Sequence, residues 1–297
     1  MLFIVKKISY KQLIKIESKS WLLQTPKPKW AKDIENGKVI YFENLQFKLS
    51  KEEKKLLSPN IIEPHTRNIS LNLDGSLKGA IGSEEEIKLL KVMIERFRNH
   101  AKNLICSAFP EYKPFLKLAP TSFRPLDVSS RNTSWRADDK RLHIDAFPSR
   151  PNYGERILRV FINLNPKGVP RVWRIGEPFE KIVERYLEKI KPYSYIYAKL
   201  INFLGITKAL RSEYDHIMLG LHDAMKSDMQ YQRKSPQITM PFKPGSVWIC
   251  FSDQASHAAM SGQYMMEQTF HLPVANQYNP KKSPLEILQI KTNKKLT

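Results

Sequence analysis

The tripeptide His143-Ile144-Asp145 is the arrangement in this chain best suited to metal chemistry. Alternate side chains of an extended strand point to one side, so His143 and Asp145 share a face while Ile144 is directed away. One imidazole nitrogen and one carboxylate oxygen can therefore meet a single metal ion. A second histidine from a distant strand would complete a facial triad of two histidines and one carboxylate. That set binds Fe(II) and leaves three adjacent positions for a chelating α-keto acid and O2. His257 is the candidate third ligand: it follows an apolar strand over 246–251 and a polar turn containing Asp253, and it opens a further strand. A His-x-Asp pair is common by itself, and the competing reading is a hydrogen-bonded structural His143 with His257 at the surface.

The other histidines compete poorly. His216 and His222 lie on an expected helix over 212–225 but are six apart, which does not place them on one face as a spacing of four would. Their neighbours Asp215 and Asp223 are adjacent in sequence, so structural roles are expected for both. His271 ends a strand, where a core or supporting role fits, and His65 and His100 are expected at the surface.

A chelating dicarboxylate such as 2-oxoglutarate also needs a cation for its far carboxylate, and arginine matches that group with two parallel hydrogen bonds. The strand expected over 156–163 supplies one. Ile157, Arg159, Phe161 and Asn163 share one face, and Leu158, Val160 and Ile162 share the other. A guanidinium buried there requires an anion, either the co-substrate or an internal carboxylate. Arg124 is the second candidate for the same pocket, whereas Arg156, at the strand's start, reads as solvent-exposed.

These groups must be held by a scaffold, and its outline is legible. The 297 residues are 41% hydrophobic with only 11 glycines, which describes a folded protein with a substantial core. Residues 1–118 read as an N-terminal wrap with short strands at 39–42 and 69–73. A capped amphipathic helix follows over about 84–105, opened by Ser83 and three glutamates. From 119 to 290 short strands are separated by Pro, Gly and Asn: 121–123, 141–145, 156–163, 172–174, 237–242, 246–251, 257–260, 267–272 and 285–290. A helical insert over about 178–230 interrupts them, and Pro244-Gly245 reads as a tight turn. This pattern predicts a single α+β domain with a mainly β core, a double-stranded β-helix of the jelly-roll or cupin type with packed and inserted helices.

Lys and Arg number 49 against 29 Asp and Glu, a formal charge of +20, which predicts attraction to nucleic acid, an anionic membrane surface or an acidic substrate. No zinc-finger, RNA-recognition or helix-turn-helix signature supports specific nucleic-acid binding. The apolar run at 2–5 is too short for a signal-peptide core and its lysines come after it, so a cytoplasmic location is expected. Cys106 and Cys250 are expected to be buried, reduced thiols.

Several long blocks resemble the Kdo hydroxylase family. They are Arg141-Leu142-His143-Ile144-Asp145-Ala146-Phe147-Pro148-Ser149-Arg150-Pro151, Arg156-Ile157-Leu158-Arg159-Val160-Phe161, Pro170-Arg171-Val172-Trp173-Arg174-Ile175-Gly176-Glu177-Pro178-Phe179 and Asp253-Gln254-Ala255-Ser256-His257-Ala258-Ala259-Met260. The resemblance covers about 119–272. It implies Fe(II)- and 2-oxoglutarate-dependent hydroxylation, using O2, of 3-deoxy-D-manno-oct-2-ulosonic acid (Kdo) at carbon 3 on the Kdo-lipid A precursor of lipopolysaccharide. His143, Asp145 and His257 map onto the family's metal ligands. Many wider relatives carry the co-substrate's Arg or Lys soon after the distal histidine; here that stretch reads Glu267-Gln268-Thr269, which favours Arg159. Arg150, Arg171 and Arg174 are the candidate contacts to the substrate's carboxylate or phosphates. An anionic substrate agrees with the basic charge and with peripheral attachment to the cytoplasmic face of a Gram-negative inner membrane. The alternatives are an oxygenase of this fold acting on another anionic substrate, or a cupin-type metalloprotein without oxygenase chemistry.

Overall fold

The computed structural model describes residues 11–45, 47–129 and 133–297. The apolar run at 2–5 lies outside them. In chain order the elements are β1 (Leu13–Lys15), α1 (Pro28–Glu35), β2 (Val39–Phe42), α2 (Lys51–Lys55), β3 (Ile69–Leu71), β4 (Leu77–Lys78), α3 (Glu84–Ala108), β5 (Lys117–Arg124) and β6 (Arg156–Asn163). They continue as β7 (Arg171–Ile175), α4 (Phe179–Tyr186), α5 (Tyr195–Phe203), α6 (Glu213–Ser227), α7 (Met229–Lys234), β8 (Ile238–Phe242), β9 (Val247–Phe251), β10 (His257–Ser261), β11 (Met265–Leu272) and α8 (Pro284–Thr292).

Two sheets face each other. The larger runs β1-β2-β9-β6-β11-β5-β3-β4 and the smaller β10-β7-β8. The N-terminal wrap thus adds strands to both edges of the larger sheet. At its centre β6 pairs antiparallel with β9 and β11, placing Arg159 opposite Cys250 on one side and Thr269 on the other. The alternation expected for β6 is observed. Leu158, Val160 and Ile162 pack outward with Phe97 of α3, while Phe161 packs inward with Trp248, Trp173 and Phe242 between the sheets. Trp248 stacks on Phe242 at 4.2 Å between ring centroids within this inner core. The helices α4, α6 and α8 form a further apolar layer with Leu142, Ile144 and Ala258. This is the α+β jelly roll with packed and inserted helices that the sequence pattern predicts.

Local signals account for the elements that matter most. The Ser83 hydroxyl accepts from the Glu86 N–H, and the Glu86 carboxylate accepts from the Ser83 N–H, so α3 begins where expected. The β8–β9 turn is closed by the Ser246 N–H donating to the Lys243 carbonyl at 3.0 Å, with Gly245 at φ +82°.

Two expectations about local structure fail. Residues 285–290 form helix α8 rather than a strand. Ser283 caps it by accepting from the Glu286 N–H, and Pro284 occupies the first turn, so the start signal prevails over the apolar run. Residues 141–145 form no regular strand; they are extended and meet β10 at a single bridge between His143 and His257.

Burial departs from expectation at three further residues. Arg156 is completely buried rather than solvent-exposed, because Asp253 reaches it from the turn after β9. Cys106 is half-buried while Cys250 is buried, and both are free thiols. His100 is half-buried with its ring edge against Trp21 and Phe47, not a plain surface residue.

Candidate metal centre and its cavity

The bridge between His143 and His257 is what builds the site. The His143 N–H donates to the His257 carbonyl at 3.0 Å and the His257 N–H donates back at 2.9 Å. This pairing leaves the two imidazoles side by side, ring centroids 4.6 Å apart. The Asp145 N–H donates to the Ser252 carbonyl at 2.8 Å, so the third residue is clamped to the end of β9. Ile144 points the other way, into the apolar helical layer. The extended backbone thus does what a strand would have done.

Ligand atoms of His143, Asp145 and His257 all lie within 4.8 Å of one another. Asp145 Oδ1 is 3.7 Å from His143 Nε2 and 4.0 Å from His257 Nε2. Each Nδ1 is 2.7–2.8 Å from a backbone carbonyl, of Arg141 for His143 and of Ala255 for His257. A carbonyl only accepts, so both rings carry their proton on Nδ1 and present a bare Nε2 lone pair to the common point. Burial lowers the affinity of both imidazoles for a proton, and for His143 the neighbouring His257 adds to this. Burial by itself would raise the Asp145 carboxyl, but Arg159, His257 and His143 beside it prevail and hold it below the usual carboxylate range. Two neutral imidazoles and one carboxylate converge, a donor set that fits a divalent iron.

The cavity at these ligands is lined by Arg124, Asp139, Arg159, Phe161, Arg171, Trp173, Ala259, Met265 and Glu267. Both expected co-substrate arginines are present. Arg159 Nη2 lies 3.2 Å from Asp145 Oδ2, and its Nη1 lies 3.1 Å from Glu267. It therefore makes the internal ion pair and lines the cavity at once. Arg124 Nη2 lies 3.0 Å from the other oxygen of Glu267. The buried Nε–H groups of Arg124 and Arg159, and the buried indole N–H of Trp173, have no acceptor among the described residues. Three unanswered donors around one small space fit an acceptor-rich anion such as a dicarboxylate.

Charge makes the same point. Three arginines and three carboxylates, Asp139, Asp145 and Glu267, line the cavity, so its lining is formally neutral with its imidazoles uncharged. It returns to neutrality with a divalent cation and a dicarboxylate together, but not with either alone.

The cavity continues through Arg124, Arg159 and Glu267 into a cleft of about 900 Å³, whose walls include Arg67, Lys78, Arg150, Asn152 and His271. Of the three expected substrate contacts, Arg150 lines this cleft and Arg171 lines the inner cavity. Arg174 does neither. It sits on the opposite face of β7, where Nη1 donates to the Gln232 carbonyl at 2.9 Å and Nη2 to the Lys140 carbonyl at 2.6 Å. It ties the helical insert to the sheet instead.

Two residues at the site escape sequence reasoning. Trp173 stacks on His257 with 4.9 Å between ring centroids, and nothing in the sequence marks it as more than core. His222, expected to be structural, packs edge-on against His143 at 5.6 Å and pairs with Asp223 at 2.9 Å. Its position follows from the packing of α6 against the ligand segment, which no spacing rule reveals.

Known proteins agree with this construction. Residues 18–295 match the profile of the 3-deoxy-D-manno-oct-2-ulosonic acid (Kdo) hydroxylase family. The structure of the Kdo hydroxylase KdoO, a non-haem Fe(II) α-ketoglutarate-dependent dioxygenase, in complex with α-ketoglutarate and Fe(III) is 44% identical. It covers 97% of this chain and 98% of its own, with a TM-score of 0.92. KdoO without ligands matches at 44% identity over 96% of this chain and 97% of its own, with a TM-score of 0.93. Its complex with succinate and Fe(III) matches at 44% over the same shares, with a TM-score of 0.92. No curated protein sequence matches the chain. On a profile match along nearly its whole length, and on the structural likeness to KdoO, this chain belongs to the Kdo hydroxylase family.

Proposed function

We propose that this protein is an Fe(II)- and 2-oxoglutarate-dependent dioxygenase that hydroxylates Kdo, at carbon 3, on a Kdo-lipid A precursor. The observation that carries the reading is the convergence of His143, Asp145 and His257 beside a cavity lined by three arginines. Fe(II), when bound, supplies the redox chemistry that couples decarboxylation of 2-oxoglutarate to insertion of one oxygen atom into a substrate C–H bond. His143 and His257 hold their protons on Nδ1 and offer Nε2, and Asp145 offers Oδ1. Arg159 braces Asp145 through Oδ2, so the carboxylate is fixed in direction before metal arrives.

Arg124, Arg159 and Arg171, with the Trp173 indole N–H, are the groups we assign to 2-oxoglutarate. They are donors on the walls of the ligand cavity, and the Nε–H of Arg124 and of Arg159, like the indole N–H, is buried without an acceptor among the described residues. The outer cleft, with Arg67, Lys78 and Arg150, suits the carboxylate of Kdo and the phosphates of its carrier. No helix among the described residues is long and apolar enough to cross a membrane. Attachment to an anionic membrane surface, on the cytoplasmic face in a Gram-negative cell, is the arrangement that a lipid-linked substrate and a charge of +20 support.

The test is incubation with Fe(II), 2-oxoglutarate and detergent-dispersed Kdo-lipid A under air, followed by mass spectrometry of the released Kdo. The expected product carries one added oxygen atom, with one succinate formed for each. Succinate formed with no change in the sugar would refute the substrate.

A further inference from the structure

Seven of the 17 exposed large hydrophobic side chains among the described residues lie between 195 and 206. They are Tyr195, Ile196, Tyr197, Leu200, Phe203 and Leu204 of α5 and its end, with Ile206 just beyond; Ile196 is 82% and Phe203 87% exposed. Only Ala198 and Ile201 of α5 are buried, so the helix is held from below by two residues and presents its apolar side chains outward. A contiguous exposed apolar patch on a folded protein marks a contact surface.

The charges around it decide what kind of surface it meets. From Lys189 to Arg211 the chain carries Lys189, Lys191, Lys199, Lys208 and Arg211 and no Asp or Glu. Lys199 lies over the Tyr195 ring, Nζ 4.7 Å from its centroid, so its stem covers apolar surface while its ammonium can turn to a phosphate. Protruding aliphatic and aromatic side chains in a stretch whose only charged residues are cations suit the headgroup boundary of an anionic bilayer. Tyrosines at this level are the side chains that interface selects.

The excursion is also fixed in place. The Tyr193 hydroxyl donates to the Arg211 carbonyl at 2.7 Å, closing its base. Beyond Gly205, the Lys208 N–H donates to the Ser149 carbonyl at 2.8 Å, and Arg211 Nη2 donates to the Pro148 carbonyl at 2.6 Å. Phe147, Arg150, Pro151 and Asn152, on either side of those carbonyls, line the outer cleft.

We propose that α5 and the turn after it, residues 195–206, dock on an anionic lipid bilayer and bring the adjoining cleft to the membrane surface. The purpose of the docking rests on the lipid-linked substrate proposed above; its test does not. The full-length chain is sedimented with phosphatidylcholine vesicles with and without phosphatidylglycerol. Wild type is expected with the phosphatidylglycerol vesicles, and Ile196→Glu/Phe203→Glu is expected to lower its partition about tenfold or more. The emission that Phe203→Trp adds to that of the five native tryptophans, taken as the difference from wild type, should shift to the blue on binding, placing residue 203 in an apolar medium. Turnover of detergent-dispersed Kdo-lipid A should be unchanged in the double variant.

A double variant that binds vesicles as wild type does would overturn the proposal, as would a Phe203→Trp difference emission that vesicles leave unmoved. A wild-type dimer in solution that the double variant dissociates would assign the patch to a second copy of the chain instead. If wild type sediments with vesicles but forms no oxygenated Kdo in detergent, the functional reading fails while the docking surface stands.

Discussion

Arg156 and Asp253 form a buried ion pair behind the metal ligands, and removing one partner has a calculable cost. Their side chains are 0% and 1% exposed, with Nε to Oδ2 at 2.7 Å, and Arg156 Nη2 also donates to Gln254 at 2.6 Å. Asp253 Oδ1 accepts the Ile157 N–H at 3.2 Å, which joins the turn to the start of β6. Arg156→Met strands a carboxylate in the interior, at a cost of about 3–5 kcal/mol. An unfolding entropy of roughly 2.1 cal/mol/K per residue, over the whole chain, converts this to a fall in Tm of about 5–8 °C. Arg156→Met/Asp253→Leu removes both charges, so it should recover most of that loss, with a coupling of about 2 kcal/mol or more in the double-mutant cycle. The same turn carries Ser252, whose carbonyl holds Asp145, and leads directly into His257. The single variant should therefore also bind metal about 10- to 100-fold more weakly. The assay is thermal unfolding of metal-free protein alongside a Co(II) titration. A single variant whose Tm stays within about 1 °C of wild type, or a double variant no more stable than the single ones, would show that Arg156 does not compensate a buried Asp253 charge.

Further predictions concern the cavity and the fold. Arg159→Ala should raise the KM for 2-oxoglutarate roughly 10- to 100-fold, the scale of one or two charge-assisted hydrogen bonds, and an unchanged KM would remove Arg159 from that role. The formal charge balance predicts that metal and 2-oxoglutarate reinforce each other. Anaerobic calorimetry should give about tenfold or tighter 2-oxoglutarate binding with Co(II) present than absent, and equal affinities would contradict it. Burial, with Arg96 nearby, lowers the His100 pKa below its usual 6.5. The unfolded chain therefore binds this proton more readily, and the stability His100 contributes is full above about pH 6.5 and lost as pH falls towards the depressed value. His100→Phe should flatten the fall in Tm between about pH 7 and 5, and an identical pH profile would exclude the residue.

Much of this was legible in the residues. The two-residue period of 156–163 grouped Arg159 with Ile157 and Phe161, but both faces of that segment are apolar, so only the packing of Phe161 between the sheets shows which face is inner. The His-x-Asp spacing conveyed which side chains could meet, even though the segment is extended backbone rather than a strand. What escaped depends on distant partners. Arg156 looked exposed because Asp253 lies 97 residues away and only the fold joins them. Arg174 reads as a substrate contact beside Arg171, which does line the inner cavity, yet a shift of three residues along β7 turns Arg174 to the other face. Trp173 and His222 reach the site through sheet and helix packing that sequence spacing does not encode. At 285–290 an apolar run short enough for either state was decided by the Ser283 cap and Pro284.

The claim on which the rest depends is that His143, Asp145 and His257 hold one divalent iron. Anaerobic Fe(II) titration of the metal-free protein, repeated on His143→Ala and His257→Ala of verified fold, measures it directly. One equivalent bound tightly by wild type, with binding and succinate formation both lost in each variant, is the predicted result. Full iron binding and undiminished succinate formation in either variant would contradict it.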